Sequence, residues 1–387
     1  MTEPLLPAPT PAADAGSTNQ APDDGSSAPA TYHGPGFRPR VRRHRDEVAE
    51  GRLWAPRTVD SEYGRLREVA LGIPVRGQRP PAVPDAVQHL RTVDYARMAD
   101  ELACLAGTYE ALGVRVHELP QPAGLALGSA EAGTRPPGAG PAPARADTQA
   151  RPAVVAADDR STHNRMFARD TFVMTPEGAV LARMGSEVRA GESRLVARLL
   201  ASLDIPVIRT IHGSGTLEGA DVLWAGPDVA LVGVGNRTNE EGARQLTETL
   251  ATFGARTVPV RMPRGVQHLL GLVQFLDHDL AVIRHELADT AMAELLRRLG
   301  HTLLPLAEHP DITDGFGMNV VCVAPRTVVM PTGAAHVRKV FDAAGVDVAA
   351  EVAIGELLAA AGGIGCATGI LSRDRATLPH PDPSPAD

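Results

Sequence analysis

A lone thiol sits among glycines near the C-terminus, in the run Gly362, Gly363, Ile364, Gly365, Cys366, Ala367, Thr368, Gly369. Glycine serves where the backbone takes unusual dihedrals or another group must come close, and a thiol acts as a nucleophile only where such an approach is open. The run marks Cys366 as a candidate nucleophile. Cys104 falls in a helical pattern with Met98, Leu102, Leu105 and Leu112, and Cys322 in the apolar run Val320, Val321, Cys322, Val323. Both are expected to be buried and inert.

Three other stretches are unusually polar for sequence that leads into strands. They are Arg169 and Asp170 ahead of Thr171 to Val173; Glu218 and Asp221 around Gly219 and Ala220; and His268, which interrupts the apolar run Leu269 to Leu272. Each has a plain structural explanation: Asp170 as a turn residue, Glu218 and Asp221 as turn caps, His268 as a half-buried histidine. Brought together with Cys366, they form a thiol, a base and carboxylates. Negative neighbours raise a thiol's pKa, so such a site suits a cationic substrate. With a guanidinium, Asp170 accepts its paired N–H donors, the positive charge lowers the thiol's pKa, and the electrophilic carbon lies beside the sulfur. His268 then serves as general acid and base, with Glu218 orienting the imidazole. A metal hydrolase built on His268, Asp221 and Glu218 is the competing enzyme, but these residues lack the close His-x-x-x-His or Asp-x-Asp spacing of a preorganised site. No metal or cofactor is expected.

These residues must be positioned by elements that the rest of the chain can supply. Residues 1–58 are rich in Pro, Ala, Ser, Gly and charge and predict a disordered tail, as does 375–387; residues 120–159 predict a low-complexity insertion. Between them, 59–374 is expected to form one catalytic domain. There, apolar runs alternate with helical patterns: a strand from Arg67, a helix over Val93 to Leu112 and a strand over Val114 to Leu119 come first. Hairpins follow at Thr171 to Met184, Asp221 to Val234, Leu272 to Arg284 and Asn319 to Met330, each succeeded by a helix and a further strand. The helix of the third of these is read as Leu287 to Leu299. The fold class is therefore α/β, as five pseudo-symmetric ββαβ modules in a propeller. A doubly wound sheet lacks its Gly-x-Gly-x-x-Gly after the first strand.

A net charge of −8 without a dense basic block in the folded part argues against nucleic acid as the partner, and the cluster Arg38 to Arg45 reads as a solvated tail. Three cysteines, no apolar run of membrane length and no leader argue for a cytoplasmic protein without membrane contact. The partner is a small guanidino molecule; self-association is left open.

At these residues the chain resembles the guanidino-group-modifying enzymes, the superfamily of amidinotransferases, arginine deiminases and dimethylarginine dimethylaminohydrolases. The resemblance spans about Tyr63 to Asp374 and rests on Arg169-Asp170, on Leu217 to Leu223 (Leu-Glu-Gly-Ala-Asp-Val-Leu), on His268-Leu269, on Gly235 to Asn239 and on Gly362 to Cys366. It implies a five-module propeller with Cys366 as nucleophile, His268 as acid/base, Glu218 as its partner and Asp170 as guanidinium clamp. It also implies that Arg189 and Arg237 grip the substrate's carboxylate, for which a guanidinium fork is suited. Deiminases and amidinotransferases typically carry a second clamp aspartate two residues after the histidine; here that place is Leu270, which is closer to the dimethylarginine hydrolases. Asp277 or Asp279 could reach the pocket in its stead. The implied activity is hydrolysis at the guanidinium carbon of arginine or an N-substituted arginine through a covalent thiouronium, giving citrulline or a relative and ammonia or an amine. Amidino transfer to an acceptor amine is the alternative within the family, and a noncatalytic binding propeller the alternative outside it.

Overall fold

The computed structural model describes residues 36–75, 77–121 and 162–376; the expected insertion beyond Gln121 and most of both expected tails lie outside these residues. The chain enters through a short helix, α1 (His44–Glu50), then the strand β1 (Leu66–Leu71), the helix α2 (Tyr95–Ala111) and the strand β2 (Arg115–Glu118). Asp94 starts α2 by accepting the N–H groups of Ala96 and Arg97, and Met98, Leu102, Leu105 and Tyr109 bury one face at helical spacing.

Three further units then repeat one plan. They are β3 (Phe172–Thr175), β4 (Gly178–Leu181), α3 (Ser193–Ser202) and β5 (Val207–Thr210); β6 (Val222–Gly226), β7 (Val229–Val234), α4 (Glu240–Ala251) and β8 (Arg256–Arg261); and β9 (Val273–Asp277), β10 (Leu280–Arg284), α5 (Thr290–Arg298) and β11 (Thr302–Leu306). After the short α6 (Pro310–Thr313) comes the last full unit, β12 (Val321–Ala324), β13 (Thr327–Pro331), α7 (Ala335–Ala343) and β14 (Asp347–Val352). The short helices α8 (Gly355–Ala359) and α9 (Ile364–Ala367) lead to β15 (Gly369–Arg373).

The result is five three-stranded sheets, in each of which a central strand runs antiparallel to one neighbour, its hairpin partner in four of them, and parallel to the strand beyond the helix. The central strands are buried along most of their length, as in β7, and so read as continuous apolar runs. In the first sheet the antiparallel partner of β1 is β15, from the other end of the chain. The sequence reading placed no strand there, because Gly369 to Arg373 ends in polar residues and lacks a hairpin turn.

Three expectations need correction. The expected tail of residues 1–58 includes α1, which buries Val48 and Glu47; His44 Nε2 lies 3.1 Å from the Glu177 carbonyl, and the Ala55 N–H donates to the Asp204 carbonyl. Composition measures what a segment can bury by itself, not what it gains by docking on a formed surface. Cys104 is exposed, lying on the solvent face of α2. The helix α5 starts at Thr290 and not Leu287, because Asp289 accepts the Met292 N–H as its cap. Cys322 is buried, and burial pushes its thiol up to about 11. Among the described residues no helix is long and apolar enough to cross a membrane.

Candidate active site

The site is assembled from the short segments that lead into one outer strand of each sheet. Asp170 lies in the 3-10 turn Ala168–Thr171 before β3, Glu218 caps the turn Gly219–Asp221 before β6, and His268 caps the turn Leu269–Gly271 before β9. Cys366 lies in α9 before β15. The fourth unit offers Asn319 at the same place, before β12. A short turn feeding a buried strand fixes the preceding side chain on rigid scaffold.

Asp170, Glu218 and His268 converge in the interior, each 5% exposed or less. His268 Nε2 stands 2.7 Å from Glu218 Oε2, and its Nδ1 lies 3.9 Å from Asp170 Oδ1. Burial acts to lower the pKa of His268, but Asp170, the Glu218 hydrogen bond and Asp221 outweigh it and hold the ring up at about 9. The imidazolium therefore persists at neutral pH, with Nε2–H bound to Glu218 and Nδ1–H turned toward Asp170. Glu218 moves the other way. Burial works to raise it, yet His268, Arg189 and Arg237 hold its carboxyl well below the usual range.

Arg189 is placed differently from the expectation. It is 2% exposed, with Nη1 2.6 Å from Asp170 Oδ2 and Nε and Nη2 3.0 and 2.8 Å from Glu192 Oε2; Nη2 also donates to the Phe167 carbonyl. A fork committed on all arms inside the protein is not open to a substrate's head group. Glu192, which the sequence reading missed, is the buried partner that holds it there. Arg237 remains half-buried, its Nη1 3.4 Å from Glu218 Oε1. Asp170 thus has Oδ2 occupied, while Oδ1 is buried without a hydrogen-bond partner.

Asp221 supports the turn of His268: its Oδ1 accepts the Leu269 N–H at 3.0 Å and its Oδ2 the Thr238 hydroxyl at 2.7 Å. At this site, among the described residues, the ligand atoms near enough to share an ion are those of Asp170, Glu218 and His268, not the trio with Asp221. Arg189, within 3.8 Å of Glu218 and bonded to Asp170, already puts a cation between the carboxylates. Asp277 and Asp279 do not join the site. Both pair with Arg326 at the β9–β10 turn, at 2.8 Å each. Leu270 is buried, and its Cδ2 packs where a Cβ on Gly365 would stand, at 3.2 Å.

The glycines around Cys366 admit the protein's own groups. A Cβ on Gly362 would meet the Phe167 ring at 2.2 Å, and one on Gly363 the Asn319 Oδ1 at 2.7 Å. Cys366 itself is partly buried, and its Sγ receives the Asn319 Nδ2 at 3.2 Å. Burial, then Asp170, push this thiol up to about 11, with Asn319 and Arg189 acting in the other direction.

Fold and site together define an α/β protein of five small sheets with a thiol, an imidazolium and carboxylates at the strand entries. The arginine deiminase family model matches residues 145–302. N(G),N(G)-dimethylarginine dimethylaminohydrolase of Pseudomonas aeruginosa is 27% identical over 208 residues, which is 54% of this chain and 77% of that one. The enzyme of the same name from Streptomyces coelicolor is 33% identical over 175 residues, 44% of this chain and 64% of that one. Among solved structures, inosamine-phosphate amidinotransferase of Streptomyces griseus aligns with a TM-score of 0.62 at 18% identity, covering 83% of this chain and 98% of that one. Pseudomonas aeruginosa dimethylarginine dimethylaminohydrolase, complexed with citrulline, aligns at 0.58 and 19%, covering 79% and 99%. Across these matches the chain is similar to arginine deiminases, dimethylarginine dimethylaminohydrolases and amidinotransferases, the members of the guanidino-group-modifying superfamily.

Proposed function

We propose that the chain is a cysteine-dependent hydrolase that acts on the guanidinium carbon of arginine or an N-substituted arginine, with residues 59–374 as one catalytic propeller. The observation that carries this reading is the unpartnered Asp170 Oδ1 beside the His268 Nδ1, in the group that also holds Cys366. A buried carboxylate oxygen without a donor suits the N–H of a cationic ligand.

In the proposed reaction the Cys366 thiol gives up its proton to solvent as the guanidinium binds, the thiolate adds to the guanidinium carbon, and the C–N bond to the leaving nitrogen breaks as His268 Nδ1–H protonates it. The amine departs and a thiouronium remains on sulfur. The neutral His268 then takes a proton from water as it attacks, and collapse expels the thiolate and the ureido product. Glu218 holds the ring through Nε2. Arg237 is the guanidinium left to meet a substrate carboxylate, whereas Arg189 sets the position of Asp170. The buried Leu270, in place of a second clamp carboxylate, favours a substituted and less polar nitrogen.

Mass spectrometry of products from L-arginine and its N-methylated forms, with and without glycine as acceptor, tests this against Cys366→Ala. A ureido product that requires Cys366 and is unaffected by glycine is expected. Guanidinylated glycine would replace the reading with amidino transfer, and no turnover of any guanidine would overturn it.

A further inference from the structure

Four of the five equivalent strand entries are occupied by residues used in the proposed reaction; the fifth holds Asn319, which is 8% exposed. Its Oδ1 accepts the backbone N–H groups of Gly365 at 2.6 Å and Cys366 at 3.3 Å. Both partners are donors, so this arm of the amide must be the oxygen and the other arm the NH2. That other arm, Nδ2, lies 3.2 Å from Cys366 Sγ. The sulfur therefore faces a donor whose orientation is fixed from its far side, and sulfur accepts most strongly as the anion.

The surroundings are shaped for this amide. A Cβ on Gly363 would stand 2.7 Å from Asn319 Oδ1, and one on Gly365 3.0 Å from it. The Gly365 N–H also points to the Asn319 carbonyl, at 3.4 Å, so the side chain and backbone of one residue hold the turn that carries the thiol. The charged groups that face Cys366 are Asp170, which opposes the thiolate, and Arg189, which favours it but is bound to carboxylates.

We propose that Asn319 is a catalytic residue of this site, fixing the Cys366 turn through Oδ1 and donating a hydrogen bond to the thiolate through Nδ2. This rests on Cys366 as the reacting atom of the proposed function, and it adds a role on the one module that reading leaves silent.

The test is the pH profile of Cys366 alkylation by iodoacetamide, read on the Cys366 peptide by mass spectrometry in a Cys104→Ser background. Asn319→Ala removes the donor without adding charge. Its alkylation midpoint is expected to rise by about one pH unit, and its rate below the midpoint to fall about tenfold. Asn319→Asp keeps the acceptor for the turn, puts an oxygen against the sulfur, and is expected to shift the midpoint further. Circular dichroism shows which variants are folded, and either suffices. An unshifted profile in a folded variant of either kind overturns the proposal, since a merely structural role leaves the midpoint in place. Alkylation needs no guanidine. Absence of guanidine turnover in the parent would sink the hydrolase reading and leave this result standing, whereas an unshifted profile would sink this proposal and leave the hydrolase.

Discussion

Replacing Glu218 by glutamine keeps the shape of a fully buried side chain and removes the charge that faces His268 Nε2 at 2.7 Å. His268 is held at about 9 in the folded protein against an ordinary 6.5, with burial opposing and Asp170, Glu218 and Asp221 favouring the charge. Because the folded value is the higher, the ring's contribution to stability is fully present below pH 6.5 and is lost as pH rises through about 9. The gap amounts to roughly 3 kcal/mol at about 1.4 kcal/mol per unit. In Glu218→Gln the charge of Glu218 is lost and the hydrogen bond to Nε2 keeps only a neutral acceptor, leaving Asp170 and Asp221 as the charges against burial. The His268 midpoint, followed by NMR of the ring Cε1–H and assigned with His268→Gln, should fall by a unit or more. Urea unfolding at pH 6.5 and 9 should show the parent losing about one and a half times, or more, the stability that the variant loses over the same interval. The Cys366 thiol, at about 11, stays protonated throughout that window. A parent His268 that titrates at or below 6.5, or a midpoint that Glu218→Gln leaves in place, would refute the reasoning.

Two further substitutions separate positioning from substrate contact and packing from chemistry. Arg189→Leu strands Asp170 and Glu192 in the interior and should cost about 3–5 kcal/mol in urea unfolding; a rise in KM with stability unchanged would instead return Arg189 to the role of substrate anchor. Gly362→Ala drives a methyl into the Phe167 ring and should cost about 1–3 kcal/mol, whereas Gly107→Ala, in α2 with open space around it, should stabilise by about 0.5–1 kcal/mol in the same thermal or urea measurement.

The alternation of apolar runs with helical patterns made the four complete hairpin-helix-strand units legible, because each element's period survives in its own residues. The first sheet was harder. Its antiparallel strand, β15, lies nearly three hundred residues from β1 in sequence, and a pairing across that separation leaves no local turn signal. At the candidate site, Asp170, Glu218, His268 and Cys366 stood out in the sequence because polar or reactive residues at strand entries are out of place in an apolar neighbourhood, and the fold brings the first three together. The same criterion, applied to the fourth unit, points to Asn319 ahead of Val320 to Val323. The pairing of Arg189 was not legible, because an arginine's spacing does not tell whether its fork meets a ligand or buried carboxylates, and Glu192, whose burial raises it to about 7, is visible only once the turn is folded.

The charges of the assembled site bear on why a thiol is found there. Arg189 offsets one of Asp170 and Glu192, and the His268 imidazolium offsets Glu218, so the resting site has little capacity for another anion. That is the setting in which Cys366 stays protonated at neutral pH. A guanidinium entering beside Asp170 Oδ1 would bring one positive charge at the moment the thiol gives up its proton, keeping the total charge of the cavity unchanged. A neutral ligand would not. On the proposed reading, selectivity for cations and activation of the nucleophile are therefore a single electrostatic event, and Asn319 makes the thiolate accessible without adding a fixed charge that would repel the substrate.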